Sequence, residues 1–499
     1  MVQSAKNSKP HIVSIDIGTS SAKAIVCTAD GAFVAEASAA YPCYYPQPGW
    51  AEQDADEVLA GVVKAIGALI QRAGLAASSV EAIVFGGIWQ SLLPLDAQDR
   101  PLCRALLWSD QRSARENALL RARLDHEDVK ARTGCGLHPM YFLSRLLWFK
   151  TEAPELYART ARFVSIKEYI LTRLYGVRVV DRAIASGTGA WNMARRDWDH
   201  ELLAAAGVAE ARFSDCVEPA SMARGLKAGY AAAMGLSEGA PAVIGAADGA
   251  LAHLGAVGFA EGRMSLSGGT SIALRLRRAA PHTVRGSEAW CYYLADGNWL
   301  QGGVAHGGGN ALTWFADNIL GARPGAEPWD GMNALALRAA PGAAGLRFFP
   351  LLGGERCPRH RPEARGAMLG LSFNHGTAEL ARALYEGVAF CTRAIYRMLA
   401  PDGRADLVVT GGILKSPVWL EIVAACLGKP LWRPHVGESA AWGGVALGLK
   451  TIGAYPDLAT ACAALVGTTG AVEPDPRQQA AYEEIMRDYE KLYAQVYGA

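Results

Sequence analysis

Ten cysteines are spread through the 499 residues without a single C-x-x-C pair, and the two nearest in sequence are Cys27 and Cys43. That scatter excludes a zinc ribbon and a dense disulfide framework, and it fits a reducing cytoplasm as the expected compartment. An excess of charge is missing too. Forty-nine basic residues face 48 acidic ones for a net charge of +1, so no electrostatic case exists for nucleic acid or an acidic surface. No run reaches the roughly 18 uninterrupted apolar residues that a membrane span needs. Met1 to Pro10 is polar and lysine-bearing and has no apolar h-region, so no secretory signal is expected. A small-molecule partner is the expectation that survives these absences.

What is present is ample apolar material, 51% of the residues, in a chain long enough for two domains. Ile12 to Val26 reads as a β-hairpin whose turn carries Asp16, Gly18, Thr19, Ser20, Ser21 and Lys23. A glycine lets the backbone approach a ligand closely. Turn N–H groups, hydroxyls and a lysine suit a phosphate, and a strand-end aspartate suits a magnesium ion. It is not a Walker A loop: the Gly-Lys-Ser/Thr ending is absent and a strand, not a helix, follows. By itself the stretch accommodates both a plain polar turn and a phosphate cradle. Met264 to Leu274 repeats the pattern of apolar strand, glycine, Thr-Ser and apolar strand. Two related domains could grip one polyphosphate between two such hairpins.

Tyr41 to Asp54, with three prolines, reads as a surface loop, and Asp56 to Gln71 as an amphipathic helix with Asp54 as its cap. Val80 to Phe85 reads as a strand ending at Gly86-Gly87, which makes Ile88, Trp89, Gln90 and Ser91 candidates for substrate contact. Trp89 equally fits a core position. Trp191 to Asp199 reads as a loop. Asp248 stands among small residues after the short strand Val243-Ile244. Burial there suits a general base, and the position also suits a helix N-cap. Thr377 to Met398 reads as a long helix, and the strand Leu407 to Thr410 ends at Gly411-Gly412, where a flat ring such as adenine could lie on the backbone. The terminal helix, Gln478 to Val496, reads as packing.

Five segments stand in one order: Asp16 to Ser21, Leu107 to Arg112, Gly245 to Gly249, Leu266 to Ser271 and Val409 to Pro417. With them the chain resembles the FGGY carbohydrate kinases, of the same broad fold as actin and Hsp70, from His11 to about Gly453. The resemblance implies an α/β architecture of two RNase H-like domains, 1–255 and 256–499, with the active site in the cleft between them. It implies ATP and Mg2+ as cofactors, a sugar or sugar acid as substrate, and a homodimer as the assembly to expect. Residue by residue it implies Asp248 as the base and Asp16 as the magnesium residue, acting through water. It implies ATP contacts from Thr19, Ser20, Lys23, Gly269, Thr270, Gly309, Gly412 and Ser416, and a sugar site at Trp89, Gln90, Trp108, Asp110, Met140 and Asp248.

Within the family, His138-Pro139-Met140, Leu146-Leu147-Trp148, Ile166 to Ile170, Ala185 to Gly189 and Gly353 to Pro358 look most like gluconokinases, which make 6-phosphogluconate from gluconate. Xylulokinases, which make D-xylulose 5-phosphate, come next, and other ketose kinases follow. Trp89-Gln90 departs from both, since Met-His is usual there; the larger indole is expected to narrow the pocket or stack on a sugar face. A gluconate site needs a cation for the carboxylate, and Arg112, His138, Lys167 and Arg356 are the candidates. A nucleotide-gated protein of the actin or Hsp70 type is the remote alternative. It would share the two hairpins and need no sugar-facing residues.

Overall fold

The computed structural model describes residues 10–321 and 329–498; of the stretch Met1 to Pro10 only the last residue lies among them. A six-stranded sheet occupies the first half. At its centre the strand His11–Ile17 turns back into Ser21–Thr28, which pairs in turn with Phe33–Ala40. On its other side it runs parallel to Val80–Gly87, which runs parallel to Ala242–Val243. Ile12, Val13 and Ile15 are all fully buried, so both faces of the central strand are covered and its apolar residues are consecutive rather than alternating.

The second half builds the same pattern in a seven-stranded sheet. Arg263–Gly268 turns back into Ile272–Arg278, which pairs with Asn298–Ala305, while on the other side Asp406–Thr410 and Leu431–Pro434 follow in parallel. The short sequence echo of the hairpins is therefore the visible part of a duplicated sheet.

Three local readings are corrected. Within the stretch read as a surface loop, Tyr41 and Ala51 are buried and Glu52–Gln53 pairs with Ala105–Leu106. The presumed loop at 191–199 is a small hairpin, Trp191–Asn192 with Asp197–Trp198. A third hairpin, Trp290–Ala295 with Asn298–Ala305, turns at Asp296-Gly297, both with positive φ. That is the Asp-Gly type I′ turn whose twist matches paired strands. The helix read as 56–71 runs Ala55–Ala73, and Asp54 does cap it, accepting from the N–H groups of Asp56 and Glu57 at 3.0 and 3.2 Å.

One helix joins the halves. Ser439–Thr451 lies in sequence between Leu431–Pro434 and Thr468–Val472 of the second sheet but packs on the central strands of the first and on the helix Asp248–Val257. The two helices cross backbone to backbone. A Cβ on Gly255 would lie 1.8 Å from the Ser439 carbonyl oxygen, and one on Gly443 would lie 2.0 Å from that of Leu251. No side chain fits at either position. Gly443→Val is expected to cost on the order of 3 kcal/mol by overpacking, read as a lower midpoint of thermal unfolding. Gly229→Ala, with nothing within 4 Å of the new Cβ, is the control and should leave the midpoint unchanged or raised; equal midpoints for the two variants would contradict this packing.

Candidate active site

The strand ends bring two carboxylates together. Asp16 pairs with Gly86 on the neighbouring parallel strand, and Gly87 bridges Ala247 on the next, so Asp16 and Asp248 flank Gly86-Gly87. Asp248 is the first residue of its helix, and Ala247 is the cap; the capping role for Asp248 is not the one built. Its carboxylate instead accepts the N–H of Gly249 at 2.6 Å and the main-chain N–H of Trp89. Burial raises its pKa, while those two N–H groups, the Arg275 guanidinium and the Lys167 ammonium hold the rise back. Lys167 lies behind it, 2.5 Å from the Asp181 carboxylate, and also donates to the carbonyls of Phe85 and Ala246.

Asp16 has fewer supports. Its Oδ1 is buried without a hydrogen-bond partner. Burial, then the nearby Asp248, and to a lesser extent Glu438, push its pKa to about 7 against the opposing pull of Lys23. Lys23 stands opposite Asp16 on the hairpin and is ion-paired to Glu438 at 3.0 Å, both side chains being about half exposed. Its partner in this structure is therefore a carboxylate at the start of the joining helix.

A cavity of about 560 Å³ opens between the halves. Trp108, Met140 and His138 line it from the first half, and Thr270, His306 and Arg356 from the second. Trp89 and Gln90 do not line it. The indole lies one layer down in a slot that only glycines permit: a Cβ on Gly249 would meet the ring at 2.3 Å and one on Gly187 at 2.5 Å. Its N–H donates to the Ala183 carbonyl at 2.8 Å, and its ring meets Trp290 and Tyr292 edge-on. The expected stacking on a sugar face is thus replaced by a supporting contact beneath Asp248. Gln90, held at a φ of 55°, donates to the Gly187 carbonyl at 3.0 Å. Asp110 is also withdrawn. It is fully buried, accepts the Ala51 N–H at 2.7 Å and pairs with Arg112 at 2.8 Å, so Ser109 and Gln111 reach the cavity in its place.

The second hairpin turn lines the cavity through Thr270 and Ser271, and the first touches it only through the lining residue Trp108. Thr19 and Ser20 occupy the first, and the Trp108 indole N–H lies 3.4 Å from the Thr19 hydroxyl. In the second, the carbonyls of Gly269 and Thr270 accept from the N–H groups of Gly309 and Asn310 at 2.8 and 3.2 Å. Gly309 and Gly412 both lie beside Trp329, within 3.5 and 3.9 Å of it measured from a Cβ built on each glycine. Ser416 departs from its expected role. It is fully buried, caps the next helix through the Trp419 N–H and gives its hydroxyl to Asn333 at 2.6 Å.

Sequence reasoning missed several residues here. Arg145 is fully buried and ties the carbonyls of Gln90 and Leu107 together; a lone arginine in an aromatic helix gave no pattern to read. Tyr292 was findable, because the Asp-Gly turn flanked by apolar residues marks its hairpin. Arg275 and Trp329 carry no local signal, and only the tertiary fold brings them to the site.

Family models for carbohydrate kinases of the FGGY family match residues 11–255 (N-terminal domain) and 264–452 (C-terminal domain). The chain is 31% identical over 485 residues to a gluconokinase of Bacillus subtilis, covering 95% of this chain and 94% of the relative. It is 29% identical to a xylulose kinase of Escherichia coli, covering 97% and 99%. Among solved structures it is similar to a gluconate kinase from Lactobacillus acidophilus, with a TM-score of 0.91, 26% identity and 98% of each chain covered.

The Asp16 carboxyl has a direct consequence for stability. In the unfolded chain it ionises near the ordinary value of 3.8, and in the folded chain near about 7. Between those values the folded chain holds a proton that the unfolded chain has released, so this residue's contribution to stability falls as pH rises through the window. Without added divalent metal, Asp16→Asn is expected to melt above the wild type at pH 8, with the gap closing at pH 4. A gap of the same size at both pH values would contradict the assignment.

Proposed function

The chain belongs to the FGGY family of carbohydrate kinases, and from that membership we propose that it transfers the terminal phosphoryl group of ATP to the terminal hydroxyl of gluconate, giving 6-phosphogluconate. It has the two-domain fold of that family, and FGGY kinases use ATP as phosphate donor. The observation that carries the mechanism is the carboxylate pair at the strand ends of the first sheet, with Asp248 held in place by two main-chain N–H groups.

In this reading Asp248 accepts the proton of the sugar hydroxyl as the new O–P bond forms and the bond to ADP breaks. Its two N–H donors fix the carboxylate's direction, and Lys167 and Arg275 favour the ionised form that a base requires. Thr19, Ser20, Gly269 and Thr270 stand where turn N–H groups and hydroxyls can receive phosphate oxygens. Gly309 and Gly412 with Trp329 form a flat-sided slot suited to the adenine. Asp16 is the residue that would hold Mg2+, because its buried Oδ1 has no partner in the protein. Among the described residues no group of three or more metal-ligating side chains gathers, so water would complete the shell. The ion, when bound, neutralises phosphate charge.

A second reading, D-xylulose as substrate, rests on the similarity to xylulose kinases. A coupled ADP-release assay over gluconate, D-xylulose, ribulose and glycerol separates the two: gluconate should give the highest kcat/KM, and preference for a neutral ketose would overturn the substrate while leaving the kinase in place. Asp248→Asn is expected to lower kcat by about 1,000-fold or more, within the range of general-base contributions, with ATP affinity within about threefold of wild type. Turnover near the wild-type rate would remove Asp248 from its role.

A further inference from the structure

Four side chains are candidates for receiving the carboxylate of a sugar acid, and their surroundings separate them. Arg112 is spent: it pairs with Asp110 at 2.8 Å and Glu52 at 2.7 Å, and stacks on Trp50. Lys167 is bound to Asp181 and lies behind Asp248. His138 lines the cavity, but its Nδ1 accepts the Met140 N–H at 3.1 Å, and burial followed by the nearby Arg356 charge holds its pKa well below the ordinary range, leaving it neutral. Arg356 remains.

Arg356 lines the cavity beside His138 and His306. Its polar contact is the Tyr141 hydroxyl, and among the described residues it forms no ion pair with a carboxylate. The acidic residues on this wall are committed elsewhere. Glu355 accepts from Tyr493 and Arg359, and Glu288 pairs with His126 at 3.0 Å. Arg365 also lines the cavity, but at its exposed rim, where it donates to the carbonyls of Pro362 and Ala364. A desolvated guanidinium without a counter-charge is costly, and its planar fork matches a carboxylate.

A continuous chain of residue contacts links the base to this cation. Contacts run from Gly249 beside the base, through Trp89, to Tyr292, whose hydroxyl lies 2.7 Å from that of Tyr141, and so to Arg356. Trp89, Tyr141 and Tyr292 do not line the cavity themselves; the packed layer they form has a proton acceptor at one end and a cation at the other. We infer that Arg356 is the specificity-determining residue of this site and receives the carboxylate of a sugar acid whose opposite end is presented to Asp248. This rests on the sugar-acid reading above.

The test compares gluconate with D-glucitol, the same carbon chain with an alcohol in place of the carboxylate. Binding of both to the wild type comes first; if gluconate binds no better than glucitol, the sugar-acid reading itself fails, and Arg356 has no carboxylate to receive. Given that preference, Arg356→Met is expected to raise the gluconate KM by about 30-fold or more, the usual scale for truncating one partner of a buried charge pair. The change in kcat should be under about threefold. Glucitol and ATP affinities should stay within about twofold of wild type, since neither ligand offers Arg356 a carboxylate. Arg356→Lys, which keeps charge but loses the fork, should give an intermediate gluconate KM and guards against a misfolded methionine variant. Three results would each overturn the assignment. These are a wild-type gluconate KM in either variant, equal losses for gluconate and glucitol, or a selective gluconate loss in Arg275→Met but not in Arg356→Met.

Discussion

Two carboxylates share one desolvated edge of the first sheet, and much of the molecule around them is arranged to make that tolerable. Like charges in a low-dielectric site raise one another's pKa. The chain answers differently at each. Asp248 is given two main-chain N–H donors with a guanidinium and an ammonium nearby, and Asp16 is left with a bare buried oxygen. Under the proposed function this asymmetry would separate their roles, one carboxylate serving as proton acceptor and the other holding a cation.

Position follows from topology. Asp16 and Asp248 meet because their strands flank Val80–Gly87 in parallel, and parallel strands place their carboxyl ends on one edge of the sheet. The second hairpin comes from a second sheet of the same strand pattern. The glycine-only crossing of the Asp248 and Ser439 helices sets how closely the halves approach, and the Lys23–Glu438 ion pair spans that junction at its exposed end. An exposed pair of this kind contributes little to stability, so it is easily exchanged for another anion at Lys23.

Much of this was legible in the sequence. The hairpins announced themselves by glycine and hydroxyls between apolar runs, and Asp248 by being an acid among alanines. The Trp89–Gln90 pair stood out in the sequence, but its depth did not. Depth depends on Gly187 and Gly249, which are far apart in sequence and meet only around the indole. Asp110 and Ser416 were misplaced for a related reason: each has the right chemistry for a ligand, and whether a polar group faces a ligand or a neighbouring backbone N–H is decided by tertiary contacts. Among the candidate cations, sequence could name Arg356, but only the pairing of Arg112 and Lys167 elsewhere and the neutral state of His138 leave it as the charged one without a carboxylate partner.

The central claim is a phosphoryl transfer to one particular oxygen, so the position of phosphorus in the product tests it most directly. Correlated phosphorus–proton NMR of a completed reaction with gluconate and ATP should show the new phosphorus coupled to the terminal CH2 of the acid, with one ADP formed per ester. Release of inorganic phosphate without a sugar ester, or phosphorus coupled to any other carbon's proton, would contradict the account.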